Sequence, residues 1–396
     1  MTSDPIRLGV AGLGRAFMLM LPTFRADPRV RLVAAAAPRE ESRTAFEAEF
    51  GGTGHASVDD LAADPEVEAI YVATPHQMHA DHVAAAARHG KHILVDKPLA
   101  VSLEDADAMV AAAETAGVHL IVGPSHSFDA PVALARRMID SGEVGAVRMV
   151  QAFNYTDFLY RPRRPEELRT EEGGGVLFSQ GVHQIDIVRL LCGGMANRIT
   201  AMTGAWDPAR PTEGAYAALM SFEGGAFATL TYSGYAHFDS DIWMDDVAEL
   251  GGEKSPSSYG KARRALEGLD AEAEARLKTT RTYGAGSEPA KADHHEHFGP
   301  IIVSCDRADL RLTPDGVEVF GDFDRRFVEA PLGPVPRKTV IDALLAAVRE
   351  DVAPAQTGRW GRASLEVCHA ILRSAETGAA VDLTRQCGTI QEEEHA

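Results

Sequence analysis

Between Ile6 and Val122 short apolar runs, IRLGVAG, VRLVAAAA, EAIYVAT, KHILVD and VHLIVGP, alternate with stretches whose apolar residues recur at helical spacing, such as HADHVAAAARHG. Strands that take turns with helices form parallel βαβ units, so this part of the chain predicts a doubly wound parallel sheet of the Rossmann kind. Beyond Gly123 the pattern changes. Residues 144–158 and 213–235 read as strands joined by glycine turns, and PIIVSC and ADLRLTPDGVEVFG continue the strand pattern before two closing helices at 337–350 and 361–377. The predicted architecture is α/β: a first domain at 1–123 on the doubly wound sheet, then an α/β domain at 124–396 built on a large open, mainly antiparallel sheet. Residues 251–298, with the charged helical run GKARRALEGLDAEAEARLK between Gly, Ser and Pro, form a solvated insertion or lid.

Length agrees with two domains, because 396 residues exceed what one core holds. The composition, 45% hydrophobic and 24% charged, is globular, and no window approaches the ~20 apolar residues of a membrane helix. The start MTSDPIRLGV enters a strand without a basic segment and apolar stretch, which predicts cytoplasmic residence. Four cysteines, Cys192, Cys305, Cys368 and Cys387, form no CxxC pair and read as reduced, structural thiols. A formal net charge of −19 argues against nucleic acid and membrane partners and requires that any anionic ligand meet a local basic cluster.

The strand, the Gly12-x-Gly14 turn and the following helix stand in the order that aims a helix N-terminus at a pyrophosphate. Two features depart from a dinucleotide fingerprint. Phe17 occupies the third small position, and the acid expected at the end of the second strand is replaced by Ala37-Pro38-Arg39, with Arg43 a turn later. Loss of that carboxylate admits a 2′-phosphate, so NAD or NADP are both open. Ala73-Thr74-Pro75 and Asp96-Lys97-Pro98 fall at the carboxyl ends of consecutive strands, where open α/β sheets bind ligands. Pro98 stiffens the exit from Lys97, whose amine is expected in the crevice.

Taken in order, GLGR, ATPxxxH (Thr74, Pro75, His79), DKP, GGGVLFSQGVHQID and GRASLEVCHAILRSAETG resemble the glucose-fructose oxidoreductase and inositol dehydrogenase family (Gfo/Idh/MocA) over nearly the whole chain. The resemblance implies hydride transfer to or from NAD or NADP, with Lys97 beside the reacting hydroxyl and His183 as the proton acceptor. It assigns cofactor binding to Gly12, Gly14, Arg15, Phe17, Pro38, Arg39, Thr74, Pro75, His76, His79, Asp96, Lys97 and Pro98, and sets His82 beside the cofactor too. In the family's Asp-x-x-x-His pair the aspartate position is Ser179 here, while Asp186, a turn beyond His183, is placed to orient the imidazole. A near-neutral group suits proton transfer at pH 7.

NYTDFLYRPRRPEEL, HHEHFGPIIVSCDRADL and GRWGRASLEVC resemble the branch of the family that contains phthalate 4,5-dihydrodiol dehydrogenase. That implies oxidation of a carboxylated cis-dihydrodiol to a catechol. The guanidinium groups of Arg161, Arg163 and Arg164 suit an aryl carboxylate. Arg161, Arg164, His126, Gln180 and His295 are assigned to the small anionic ring substrate, and the family implies a homodimer or homotetramer. No metal is expected at His294, His295, Glu296 and His297, because consecutive histidines cannot all face one ion and a hydride acceptor already supplies the electron sink. A sugar or cyclitol oxidoreductase of the same family, and a non-catalytic dinucleotide-binding regulator, are the alternatives.

Overall fold

The computed structural model describes residues 4–235, 237–284 and 292–389. The chain divides into two compact units. One comprises residues up to Pro124 with the later segments 276–289 and 333–362, and the other holds 125–275, 290–332 and the remainder from Ala363.

In the first unit β1 (Ile6–Ala11), α1 (Arg15–Ala26), β2 (Val30–Ala36), α2 (Glu40–Phe50), β3 (Thr53–His55), α3 (Val58–Ala63), β4 (Ala69–Val72), α4 (His79–Arg88), β5 (His92–Val95), α5 (Leu103–Ala116) and β6 (Leu120–Val122) alternate. All pairings are parallel and the strand order is β3-β2-β1-β4-β5-β6. That order puts the switch in winding direction between β1 and β4, the ligand crevice of such sheets. Both faces of the sheet are covered, so Ile6, Leu8, Val10, Ile70 and Val72 are buried outright and the strands lack polar alternation. Local chemistry sets the helix ends: the hydroxyl of Ser57 accepts from the N–H of Asp60, that of Ser102 accepts from the N–H of Asp105, and α5 stops at Gly117 in the left-handed region.

The sequence division at residue 123 kept everything later in one domain; two later segments depart from it. Tyr283 lays its ring edge against Phe17, 5.3 Å between centroids, and its N–H donates to the carbonyl of Leu13 at 3.2 Å. At the far edge Thr357 forms a bridge with Ile121, and a Cβ on Gly361 would fall 2.5 Å from Val122, so only glycine lets that backbone approach β6. These contacts are apolar and backbone-mediated, which is why charge and motif reading passed over them.

The second unit is built on nine strands in the order β14-β13-β12-β11-β7-β10-β9-β8-β15. Here α6 is Ala130–Asp140, β7 Val147–Tyr155, α7 Val182–Leu191, β8 Ala196–Gly204, β9 Ala215–Phe222, β10 Phe227–Ser233, α8 Lys261–Leu266, α9 Ala271–Thr279, β11 Ile301–Cys305, β12 Ala308–Thr313, β13 Gly316–Gly321 and β14 Arg325–Glu329. After α10 (Lys338–Glu350) and α11 (Gly358–Thr377), β15 (Val381–Asp382) completes the sheet. Only β7 and β10 pair in parallel; the rest of the ladder is antiparallel. One face carries α6 over β12 and β13 and α7 over β7 and β10. Every residue of α7 is buried. On the opposite face the register aligns Leu219, Thr229, Gln151, Ile302 and, further out, Phe327, and the apolar members of that row are exposed.

The expected solvated insertion is more firmly anchored than its charges suggest. Its helices α8 and α9 are tied down by Glu274, which accepts from Arg210 at 2.8 Å and from the N–H of Arg163 at 2.7 Å, and by the Arg263 guanidinium stacked 3.8 Å over Tyr160. Among the described residues no helix is long and apolar enough to cross a membrane.

Candidate active site

In the first unit the chain leaves β1 through Gly12, whose φ is +97°; a Cβ there would lie 2.9 Å from both the Ala73 carbonyl oxygen and the Thr74 methyl. Gly14 then opens α1, and a Cβ on it would meet only the Ala73 oxygen at 4.0 Å. Gly14 has no side chain to cap the helix and the first turn holds no acid, so the positive end of α1 is clear for a phosphate anion. The residues present therefore fit a dinucleotide. Arg39 follows β2 and is exposed, donating to Thr282 Oγ1 at 2.9 Å, while Arg43 donates to the carbonyls of Ala37 and Pro38 and stiffens the same loop.

Three residues assigned to the cofactor turn out to support the cradle from inside. Phe17 is fully buried, packed between Phe24 and Tyr283, so the helix meets the sheet through an aromatic contact where a fingerprint glycine would make a closer one. His79 is also fully buried: Nε2 faces the Thr74 carbonyl at 3.0 Å and Nδ1 faces the carbonyls of Pro98 and Leu99 at 3.1 Å. The ring thus packs between the loop after β4 and the loop after β5, and, since burial holds it below the usual histidine range against the pull of Asp96, its single N–H donates to one of them. Pro98 is buried beside it. Asp96 accepts from the N–H of Lys97 at 2.9 Å and is raised by burial, which Lys97 and His79 oppose. Thr74 Oγ1 meets His82 Nδ1 at 2.9 Å, and Arg15, Pro38, Pro75, His76 and Lys97 keep solvent exposure around the loops.

In the second unit a buried cluster surrounds His183, which α7 carries near its start. The preceding turn, Leu177–Gly181, is π-helical, so Ser179 does not stand under His183 as an α-helical i, i+4 pair would. His183 Nδ1 lies 3.3 Å from Ser125 Oγ and 3.4 Å from the backbone N of His126. Ser125 in turn donates to Asp186 Oδ2 at 2.6 Å. The rings of His126 and Phe298 flank His183 at 4.6 and 5.3 Å, and Tyr232 stacks on Phe298 and donates to Gln180 at 3.3 Å.

His126 bonds Asp129 through Nδ1 at 2.7 Å and faces Glu249 at 3.9 Å. Burial opposes its charge, but Asp129, Glu249 and Glu296 outweigh burial and push it up to about 10. Its ring, Asp129 and Glu296 place ligand atoms within 4.8 Å of one another. Glu249 is driven well below the carboxylate range by Arg161 and His126 in spite of burial.

The basic run is not a free cationic patch. Arg161 spends Nε on Asp157 at 3.2 Å and Nη1 on Glu249 at 3.1 Å. Arg163 lies 3.6 Å over the Phe158 ring, and Arg164, assigned to substrate, pairs instead with Glu166 and Glu167 of its own turn. His295, also assigned to substrate, faces the Ala330 carbonyl at 2.8 Å, while His294 pairs with Asp315 and His297 with the Val247 carbonyl. Alternate side chains of one extended segment point to different neighbours, which separates these histidines. His126 and Gln180 do join His183. Ser125, Asp129 and Glu249 were not foreseen; Ser125 follows β6 at its carboxyl end, the signal that had singled out Thr74 and Lys97, whereas Glu249 lies 88 residues from Arg161 and carries none.

Known proteins share this sequence and this fold. Residues 6–124 match the family described as oxidoreductase family, NAD-binding Rossmann fold, and residues 132–255 match the GFO/IDH/MocA C-terminal domain. The 1-carboxy-3-chloro-3,4-dihydroxycyclo hexa-1,5-diene dehydrogenase of Comamonas testosteroni is 45% identical over 378 residues, spanning 94% of this chain and 95% of that protein. A solved structure from Bordetella bronchiseptica RB50 is 43% identical with a TM-score of 0.91, covering 96% of this chain and all of its own. The WlbA dehydrogenase of Bordetella pertussis, solved with NADH and UDP-GlcNAcA, shares the fold at a TM-score of 0.68 and 22% identity over 96% of this chain and 99% of its own. The chain belongs to the Gfo/Idh/MocA oxidoreductases, with an NAD-binding Rossmann domain followed by the family's C-terminal domain.

Proposed function

We propose that the protein oxidises a secondary alcohol on a carboxylated cis-dihydrodiol ring, using NAD or NADP, and so yields a catechol. The observation that carries it is the buried His183 with its polar support in Ser125, Asp186 and His126, set beside aromatic Phe298 and Tyr232 that suit a flat ring. The full-length relative from Comamonas, a dehydrogenase of a carboxylated, dihydroxylated cyclohexadiene by its name, supports the substrate class.

His183 accepts the proton of the reacting hydroxyl, and Lys97, on family resemblance, donates a hydrogen bond to that same oxygen. A bound nicotinamide dinucleotide supplies the hydride acceptor. Arg161 is held in one orientation by Asp157 and Glu249, and among the described residues nothing takes the hydrogens of Nη2, which serve the substrate carboxylate. The exposed apolar row of Leu219, Ile302 and Phe327 supports pairing of copies through this face, as a homodimer or within a homotetramer.

His183→Ala and Lys97→Ala test the assignment. Each is expected to lower kcat by roughly 10²-fold or more, the scale of a lost proton-transfer group, in a variant that remains folded and still binds the dinucleotide. Wild-type turnover in either folded variant would overturn that residue's role.

A further inference from the structure

The family pattern puts a carboxylate four residues before the proton-accepting histidine, and this chain has Ser179 there, yet the structure brings a carboxylate to His183 by another path. Asp186 Oδ2 receives the hydroxyl of Ser125 at 2.6 Å, and Ser125 Oγ lies 3.3 Å from His183 Nδ1. A hydroxyl has one hydrogen, and an ionised carboxylate can only accept, so the Ser125 proton is committed to Asp186. What Ser125 turns toward His183 is therefore an oxygen lone pair. All three residues are buried, Ser125 at 9%, His183 at 6% and Asp186 at 5% exposure.

We propose that Ser125 is the positioning residue of a His183–Ser125–Asp186 relay, which holds neutral His183 with its proton on Nδ1 and leaves Nε2 as the lone pair that takes the alcohol proton. The proposal rests on His183 as the proton acceptor of the function above. In the step it serves, the carbinol C–H bond breaks with its electron pair passing as hydride to the oxidised dinucleotide. The O–H proton forms a bond with Nε2, and the carbon and oxygen left behind become the ring ketone. The imidazolium so formed donates from Nδ1 to Ser125, whose own hydrogen bond to Asp186 delivers the compensating negative charge.

One neighbour competes. The backbone N–H of His126 also approaches Nδ1, at 3.4 Å, and would favour the opposite tautomer. The Ser125 link is favoured because donating to the Asp186 carboxylate polarises Oγ and makes it a stronger acceptor for Nδ1–H, and because it is the shorter contact, 3.3 against 3.4 Å. Only Ser125 of the two can accept from the imidazolium. Asp186 is further supported through Oδ1, which Ser364 Oγ approaches at 3.5 Å, and by attraction to the buried Arg189 guanidinium. His126, itself bearing Asp129, Glu249 and Glu296, packs its ring against His183 at 4.6 Å.

The test reads His183 directly. Nitrogen-15 NMR of histidine-labelled protein, with neither substrate nor dinucleotide added, reports the tautomer and the titration midpoint. Wild type is expected to carry Nδ1–H; Ser125→Ala moves the proton to Nε2 and lowers the midpoint by about one pH unit, roughly a tenfold change in proton affinity. Ser125→Thr, which keeps the hydroxyl, restores both. In turnover, Ser125→Ala lowers kcat at least tenfold and shifts the rising limb of its pH profile downward, with KM for the dinucleotide unchanged. Should Ser125→Ala fail to fold, Asp186→Asn gives the same downward shift. An Nε2–H tautomer in wild type, or a Ser125→Ala variant that titrates as wild type, overturns the relay. A relay seen by NMR in a protein that leaves the carboxylated diol untouched instead overturns the substrate reading alone.

Discussion

Arg161 and Arg164 are three residues apart in one basic run, yet the structure gives them different fates, and replacing each by Gln separates them. Arg164 is 40% exposed and neutralised by Glu166 at 3.0 Å, so Arg164→Gln is expected to change KM less than twofold. Arg161 is 33% exposed, and two carboxylates fix its plane while Nη2 remains for substrate. A charge-assisted hydrogen bond contributes about 1.5 to 3 kcal/mol; partial exposure favours the lower end, so ~1.5 to 2 kcal/mol, or roughly a 10- to 30-fold rise in KM. Arg161→Gln also leaves Glu249 with His126 at 3.9 Å as its remaining cation among the described residues, at a stability cost of about 1 to 3 kcal/mol. The double variant Arg161→Gln, Glu249→Gln removes that cost and keeps the raised KM. The assay is steady-state turnover of a carboxylated cis-dihydrodiol against the same ring without the carboxylate. The rise should be confined to the carboxylated substrate, and wild-type KM for it should climb with ionic strength. Equal effects of the two arginines, or none from Arg161, would refute the carboxylate assignment.

Other outcomes follow from the same geometry. Gly12→Ala forces an L side chain to φ +97° and onto the Ala73 carbonyl, so dinucleotide affinity measured by calorimetry should fall at least tenfold; unchanged binding would remove Gly12 from the cradle. Arg39→Ala should weaken NADP about tenfold more than NAD and Ala37→Asp should favour NAD, whereas parallel changes would show that this loop does not read the 2′ position. His126 has its folded value raised to about 10 from an unfolded ~6.5, so its stabilisation is whole below pH 6.5 and is lost as pH rises toward 10, by up to ~1.4 kcal/mol per unit. Asp129→Asn keeps the hydrogen-bond acceptor but not the charge, and urea denaturation should show a smaller loss of stability between pH 6.5 and 9.5 than in wild type; equal losses would contradict the ion pair.

The parts of the molecule legible in sequence were those written locally. Strand and helix periods, the glycine turn after β1 and the polar residues at the carboxyl ends of β4 and β5 needed no distant partner. Phe17 could be seen as a departure but not explained, because the ring that packs against it, Tyr283, arrives from a segment far along the chain. The basic run was visible as charge, while Glu249, which pairs with Arg161, comes from 88 residues away and Glu274, which takes the backbone N–H of Arg163, from 111. The hydroxyl behind His183 was hidden likewise: Asp186 showed itself by its spacing from His183, but Ser125 stands 61 residues before it. His79 illustrates the converse: a histidine marked out by its motif position lies in the core, between the loops after β4 and β5.

The most direct measurement is turnover of the purified protein with a carboxylated cis-dihydrodiol, followed at once by dinucleotide reduction and by catechol release, with a cyclitol and a sugar as parallel substrates. The structure predicts one reduced dinucleotide per catechol, a kcat/KM for the diol well above either polyol, and loss of both signals together in His183→Ala. A polyol oxidised faster than the diol, or dinucleotide bound but never reduced with any of them, would contradict it.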